Sequence, residues 1–174
     1  SATAIELNNI IAKTSVAVDL INVGAIEASN SAAITTLYTA TTFGLGNETI
    51  SVSDTTINAK ALNDIDGYTT GVVNASSVNT ITGTAAEVIA AYAANSTGTI
   101  HGLGNEAVTI TDTSINASVL MTLDAFTTGI INASSITTLT GSDSDQATVI
   151  ASSGISGLQG LITSGRISAI DNLV

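Results

Sequence analysis

Gly44-Leu45-Gly46-Asn47-Glu48 returns as Gly102-Leu103-Gly104-Asn105-Glu106, a shift of 58 from position 44 to position 102. The same shift relates three further pairs of segments: Ile57-Asn58-Ala59 to Ile115-Asn116-Ala117, Tyr68-Thr69-Thr70-Gly71 to Phe126-Thr127-Thr128-Gly129, and Val73-Asn74-Ala75 to Ile131-Asn132-Ala133. An ungapped self-match of this length is typical of repeat proteins, whose units bury their apolar faces against one another. The sequence therefore predicts one continuous repeat fold, with a diverged partial repeat at 1–43, repeat 1 at 44–101, repeat 2 at 102–159 and an end segment at 160–174.

Local signals divide each repeat into two strands and two helices. Ile50 and Val52 alternate with polar residues, which is the pattern of a half-buried strand. Asn58 is placed to cap a following helix, and Thr84 with Glu87 has the spacing of a capping box that opens a second helix. The second strand is expected at 72–75. Because two strand–helix coils share the 58 residues between positions 44 and 102, each coil is expected to take about 29 residues.

Glycines mark the ends of these elements. Gly44 and Gly46 predict a turn, because glycine adopts a positive φ at little cost. Gly71 and Gly129 are expected to end their helices in the left-handed conformation. Together the elements predict an α/β repeat solenoid built of strand–helix coils. A right-handed parallel β-helix is the alternative, because a shorter echo between 57–59 and 73–75 fits shorter rungs.

The charge of the chain excludes several partners. Charged residues make up 10% of the 174 residues, and 14 acidic residues face only Lys13, Lys60 and Arg166, for a net charge of −11. Three cations cannot form the basic patch that a phosphate backbone requires, so nucleic acid is excluded as a partner. The absence of Cys excludes disulfides and thiolate metal sites. No apolar run is long enough to predict a membrane span.

Composition also indicates a location. The chain is rich in Ser, Thr, Asn, Ala and Gly, and aromatic residues make up only 3% of it, which suits a narrow core of small side chains in an extracellular surface protein. It begins Ser1-Ala2-Thr3 without Met, and no signal peptide is present, which indicates processing or an excised fragment. We therefore expect an extracellular or cell-surface location, with a phage virion as the alternative.

His101 is the single histidine, and its repeat equivalent is Gln159. A general base needs an orienting partner and a nucleophile, and the sequence places neither beside it. Glycoside cleavage would need a pair of carboxylates, and the acidic residues here lack the aromatic neighbours of a sugar platform. No catalytic residue is assigned, and we do not expect an enzyme.

Asp54 and Asp112 are the candidate metal ligands. Each continues the phase of the inward residues of the strand before it, so its carboxylate must be hydrogen-bonded or must hold a cation. The simpler interpretation is an Asx turn at the corner before the next helix. The alternative is calcium held by the Asp and backbone carbonyls, which is less favoured because calcium sites gather several carboxylates. No other cofactor is predicted.

Residues 44–141 resemble tandem repeats of very long surface proteins of marine cyanobacteria and their phages. The resemblance rests on Leu103-Gly104-Asn105-Glu106-Ala107-Val108-Thr109-Ile110-Thr111-Asp112-Thr113, Phe126-Thr127-Thr128-Gly129 and Leu139-Thr140-Gly141. It implies an extracellular, non-enzymatic role in a large tandem array, and it assigns no functional residue.

Three classes of function follow from the sequence. The favoured class is a structural repeat segment that acts as spacer, coat or filament building block, with neighbouring repeats or a second copy joined head to tail as its partners. The second class is an adhesin or carbohydrate-binding module that recognises surface glycans, with calcium at Asp54 and Asp112. A polysaccharide-cleaving enzyme on a β-helix is the third and least favoured class.

Overall fold

The computed structural model describes residues 1–40, 42–158 and 161 and shows an α/β fold of parallel sheets. Within those ranges there are fourteen strands: β1 (Ala2–Thr3), β2 (Val18–Asp19), β3 (Ala25–Ser29), β4 (Thr42–Phe43), β5 (Thr49–Val52), β6 (Thr56–Asn58), β7 (Val73–Asn74), β8 (Thr80–Gly83), β9 (Ile100–His101), β10 (Ala107–Ile110), β11 (Ser114–Asn116), β12 (Ile131–Asn132), β13 (Thr138–Thr140) and β14 (Ile155–Ser156). The six helices alternate with them: α1 (Ala4–Ile11), α2 (Ser31–Thr39), α3 (Ala59–Tyr68), α4 (Ala85–Thr97), α5 (Ala117–Asp124) and α6 (Asp143–Ala151).

The chain folds as two compact units that interleave along the sequence. The first comprises Ser1–Val78 and Ala90–Leu103, and the second comprises Asn79–Ile89 and Gly104–Val174 as far as the chain is described. The predicted segment boundaries after residues 43 and 101 do not delimit these units. Most of the predicted end segment, 160–174, lies outside the described residues.

In the first unit, β1, β3, β5, β7 and β9 are neighbours in that order in one parallel sheet, and β2 pairs with β4. The inward residues of the large sheet are aligned in register from strand to strand, and all of them are buried: Ile26, Ile50, Val73 and Ile100. β-Branched side chains suit such a ladder because they pack well on a pleated surface. Each buried Ile or Val contributes roughly 1.5–3 kcal/mol relative to an exposed one.

The second unit is built in the same way. There β8, β10, β12 and β14 are neighbours in that order, and β11 pairs with β13. Ile81, Val108, Ile131 and Ile155 form the aligned inward ladder of the larger sheet. The alternation of apolar and polar residues, which predicted a half-buried strand at 49–53 and again at 107–111, is confirmed in β5 and β10.

The predicted coil length of about 29 residues is wrong. Ile50 pairs with Val73, 23 positions on, and Val73 pairs with Ile100, 27 positions on. These two advances bring the chain from position 50 to position 100, and the step from β9 to β10 completes the shift of 58. Ile50 and its repeat equivalent Val108 therefore lie in different sheets. The sequence repeat and the strand register have different periods, so halving the repeat could not give the register.

The predicted alternation of one strand with one helix is also wrong. Two strands precede most helices: β5 and β6 come before α3, and β7 and β8 come before α4. In β6 only Ile57 is buried, between two exposed neighbours. A strand of three residues is too short to show an alternating pattern, which is why sequence reasoning did not separate it from the helix that follows.

The predicted helix starts are confirmed. Asn58 accepts a hydrogen bond from the Lys60 N–H at 3.0 Å and so caps α3. The capping box at α4 is present, because the Thr84 N–H donates to the Glu87 carboxylate and the Glu87 N–H donates to the Thr84 hydroxyl. A second box opens α1, where hydrogen bonds from the backbone and then the side chain of Thr3 lower the pKa of Glu6.

Gly71 and Gly129 do not end helices in the left-handed conformation. Neither has a positive φ, and α3 and α5 end before them, at Tyr68 and Asp124. They are glycines because two backbones pass close to each other. A Cβ on Gly71 would lie within 3.0 Å of the Glu48 carbonyl oxygen, and one on Gly129 would meet the Glu106 carbonyl in the same way.

Gly71→Ala is expected to lower the free energy of unfolding by about 2 kcal/mol or more, because the added methyl group collides with backbone that cannot rotate away. Gly67→Ala is the matched control: Gly67 lies in α3, and a Cβ there would meet nothing within 4 Å. Alanine favours the helix, so the control variant should be unchanged or more stable by up to about 1 kcal/mol. Urea denaturation measures both. Equal losses in the two variants would contradict the close-approach explanation.

Candidate functional site

Asp54 lies two residues after β5, and its carboxylate reaches the start of α2. Its Oδ2 accepts a hydrogen bond from the Ser31 N–H at 2.6 Å, and its Oδ1 accepts one from the Ser31 hydroxyl at 3.1 Å. Ser31 is the first residue of α2. The first N–H groups of a helix lack partners within the helix, and the helix dipole favours a negative charge there. Asp54 therefore caps a helix from a strand end 23 residues further along the chain.

Asp112 serves α4 in the same way, since its Oδ2 accepts from the Ala85 N–H at 2.7 Å. At α1 the acceptor is the Ser29 hydroxyl, 2.8 Å from the Ala4 nitrogen. The predicted Asx turn is thus wrong, because each carboxylate binds an earlier helix rather than its own corner. Sequence reasoning could not find these partners, which lie 23 to 27 residues away.

Calcium binding by Asp54 and Asp112 stays a prediction. Both side chains are half-buried, and the carboxylate oxygens already accept hydrogen bonds from N–H and O–H groups, whose hydrogens would repel a cation. Calcium takes roughly six to eight oxygen ligands. No group of three or more His, Cys, Asp or Glu side chains that could hold a metal occurs within the described ranges.

Sequence reasoning missed Glu48, which is fully buried with 0% of its surface exposed. Its carboxylate accepts hydrogen bonds from the Gly46 N–H at 2.9 Å, from the Asn47 N–H at 3.2 Å and from the Tyr38 hydroxyl. The Tyr38 ring stacks on the ring of Tyr68, with centroids 4.8 Å apart. All three donors are neutral, so a full negative charge is held in the core by hydrogen bonds alone. The available signal was the recurrence of Glu48 as Glu106 beside an apolar strand.

The segment after α3 closes over this loop. The Thr69 hydroxyl donates to the Glu48 carbonyl at 2.6 Å, and the Thr70 N–H donates to the Gly46 carbonyl at 2.8 Å. Gly71 then passes the same carbonyl, where no Cβ fits. We call the loop 46–48 together with the segment 68–71 the first clasp.

The second clasp, 104–106 with 126–129, repeats these contacts in the second unit. Glu106 is 1% exposed, and the Gly104 N–H donates to its carboxylate at 2.9 Å. The Thr127 hydroxyl donates to the Glu106 carbonyl at 2.8 Å, and the Thr128 N–H donates to the Gly104 carbonyl at 3.0 Å. The two best-matched sequence motifs of the repeat are therefore the two halves of one contact.

His101 lies exposed at the end of β9, where its carbonyl accepts from the Ala75 N–H at 2.8 Å. Its imidazole makes no hydrogen bond within the described part of the chain. The structure brings neither Asp54 nor Asp112 into a common site with it. Gln159, its sequence equivalent, lies outside the described residues.

The outer face of the first unit's large sheet carries a hollow of about 320 Å³. Ser51 and Asn74 line it and are aligned in register, and the next strand continues their row to His101. Glu27 adds a carboxylate to the lining. The row presents hydroxyl, amide and imidazole groups to a ligand from one side.

No family model, curated protein or solved structure matches the chain. Among the described helices, none combines the length and apolar character that crossing a bilayer requires. The function is therefore inferred from the contacts above.

Asp54→Ala is expected to lower the free energy of unfolding by about 1 kcal/mol, because the first N–H of α2 loses its charged acceptor. Glu27→Ala removes an exposed carboxylate that accepts no hydrogen bond in the described chain, so its stability should be nearly unchanged. Thermal unfolding with calcium and with chelator completes the comparison, and we expect equal melting temperatures. A rise with calcium that Asp54→Ala abolishes would establish a calcium site instead.

Glu48→Ala should be far more costly, by roughly 3 kcal/mol, because two backbone N–H groups and the Tyr38 hydroxyl lose their acceptor in a buried site. Chemical denaturation measures the loss, and the tyrosine circular dichroism of the Tyr38–Tyr68 stack reports whether the ring geometry changes. Glu27→Ala is again the matched control. A loss below that of Asp54→Ala would show that the first clasp does not depend on the buried charge.

Proposed function

We propose that the chain is a non-enzymatic structural repeat segment, a solenoid of stacked strand–helix coils from a secreted or surface-exposed bacterial or phage protein. The observation that carries this proposal is the use to which the repeated residues are put. Glu48, Thr69 and Gly71, like Glu106, Thr127 and Gly129, join a loop to the segment about 21 to 23 residues further along the chain. Residues repeated for catalysis or ligand binding would instead converge on a shared, accessible site.

The pattern of contacts supports a stack. Each strand pairs with one 23 to 27 residues away, and the helix caps from Asp54 and Asp112 span the same interval. In repeat proteins stability is approximately a sum of repeat and nearest-neighbour terms, so units can be added or removed without a new fold. That property suits a spacer, a coat or a filament building block. The low charge density and the resemblance to long surface proteins support an extracellular location.

Neighbouring repeats are the proposed partners, and the N-terminal coil restricts how a second copy can join it. Thr14 forms the turn that Thr69 and Thr127 form, with its hydroxyl accepting from the N–H two residues on at 3.0 Å. Val16, however, stands where the clasps have Gly71 and Gly129. Its Cβ would collide with the loop of a preceding clasp in that geometry. Head-to-tail association at this end therefore needs a contact other than a clasp.

Sedimentation velocity over a range of protein concentrations tests the proposal. A solenoid segment is expected to sediment as an elongated particle, with a frictional ratio above that of a globular protein of 17.3 kDa. The same value with calcium and with chelator is expected, because Asp54 and Asp112 already accept hydrogen bonds. A frictional ratio typical of a sphere would overturn the solenoid. Growth in mass only with calcium would favour a calcium-dependent adhesin.

A carbohydrate-binding module is the second candidate, favoured by the polar row of Ser51, Asn74 and His101 beside the 320 Å³ hollow. Glycan-array binding tests it. Binding that Ser51→Lys abolishes, and that Thr109→Lys on the other large sheet leaves intact, would establish this face as the site. Binding equally weakened by both variants, or no binding to any glycan, would remove the candidate.

A further inference from the structure

A hollow of about 230 Å³ lies beside α5 and α6 in the second unit. Drug-sized ligands occupy pockets of roughly 300–1,000 Å³, so this hollow suits a smaller group, such as one side chain. Its lining combines apolar walls with one carboxylate and two hydroxyl groups: Met121, Ala125, Val149, Ile155, Asp124, Thr148 and Ser152.

Asp124 is half-buried at the edge of this hollow. Its Oδ2 accepts a hydrogen bond from the Ser152 hydroxyl at 3.0 Å, and within the described chain that is the only hydrogen bond to the carboxylate. Its Oδ1 lies against Gly154, where a Cβ would collide with it. No ion pair in the described ranges involves Asp124, since the one found there joins Lys60 to Asp64. A carboxylate next to apolar walls with so few donors is stabilised by a cationic partner.

Comparison with the other repeat explains how the hollow arises. Asp66 occupies the equivalent position in α3, and its Oδ2 accepts from the Thr99 hydroxyl at 3.1 Å. Its Oδ1 is sealed from solvent. Thr99 follows α4, which is 13 residues long, whereas α6 has only 9 residues. The four missing residues amount to about one helical turn. The shorter helix leaves Asp124 beside a hollow.

We propose that this α5–α6 hollow binds a primary alkylammonium group, the chemistry of a lysine side chain, with Asp124 as its counter-ion. The alkyl chain lies against Met121, Val149 and Ile155, and an ammonium N–H donates to the Asp124 carboxylate. The Thr148 hydroxyl donates its own hydrogen to the Ser144 carbonyl at 2.8 Å, which leaves its oxygen to accept a second ammonium hydrogen.

Other ligand classes fit the hollow less well. A calcium ion needs roughly six to eight oxygen ligands, and only three side-chain oxygen groups line this hollow. An anion would meet the Asp124 carboxylate in a chain of net charge −11, which repels anions and attracts cations. A neutral alkyl group would gain the apolar contacts and leave the carboxylate unpaired.

Met121 makes the proposal directly measurable, because it is the single methionine of the chain and lines the hollow. Labelling with ¹³C-methyl methionine gives one reporter resonance, which is followed during titration with n-butylammonium. We expect a saturable shift, with binding at least about tenfold tighter than for the neutral isostere 1-butanol, since a hydrogen bond to a charged group contributes about 1.5 kcal/mol or more. No saturable shift, or equal affinities for the amine and the alcohol, would overturn the proposal without any variant being made.

Two variants then locate the counter-ion. Asp124→Asn should remove the preference for the amine over the alcohol, whereas Asp66→Asn, at the sealed equivalent position, should retain it. Retention of the preference in Asp124→Asn, with an unchanged melting temperature, would contradict the assignment. Nα-acetyl-lysine methylamide identifies the source of the group: tighter binding than n-butylammonium supports a lysine of a partner polypeptide, and equal binding supports a free amine. These outcomes are independent of the frictional ratio that tests the solenoid.

Discussion

A carboxylate buried among neutral donors is the constraint that shapes each repeat. Glu48 is in the core without a cation, so every hydrogen bond it accepts must come from a fixed N–H or O–H group. The loop before it bends back to supply two of those groups from its own backbone. The loop is thereby fixed in one shape, and its carbonyls become fixed acceptors for the segment that follows α3. A thin glycine backbone at Gly71 is then required for the two to meet.

The helices are held by a second long-range contact of the same span. Strand ends supply the acceptors for the first N–H groups of α1, α2 and α4, through Ser29, Asp54 and Asp112. Each helix thus depends on the strand that follows it in the register of the sheet. Stability obtained in this way comes from neighbours rather than from one shared centre. This is the physical basis for proposing a structural role for the repeat.

Differences between the repeats carry as much information as their likeness. Val16 replaces the glycine of the clasps, which changes what the N-terminal coil can receive. The shorter α6 changes the surroundings of a repeated aspartate, from a sealed contact at Asp66 to the edge of a hollow at Asp124. A scaffold that repeats its contacts faithfully is free to vary at such positions. We therefore look for binding where the repeats diverge.

The sequence by itself determined the features that depend on neighbouring residues. Alternation predicted the strands β5 and β10, and side-chain chemistry predicted the caps at Asn58 and Thr84, because these signals act within a few residues. Only the tertiary structure decided the register of 23 to 27 residues, the role of Gly71, the burial of Glu48 and the partners of Asp54 and Asp112. Each of these depends on which backbone lies alongside, and a residue's own neighbours in the chain contain no record of that.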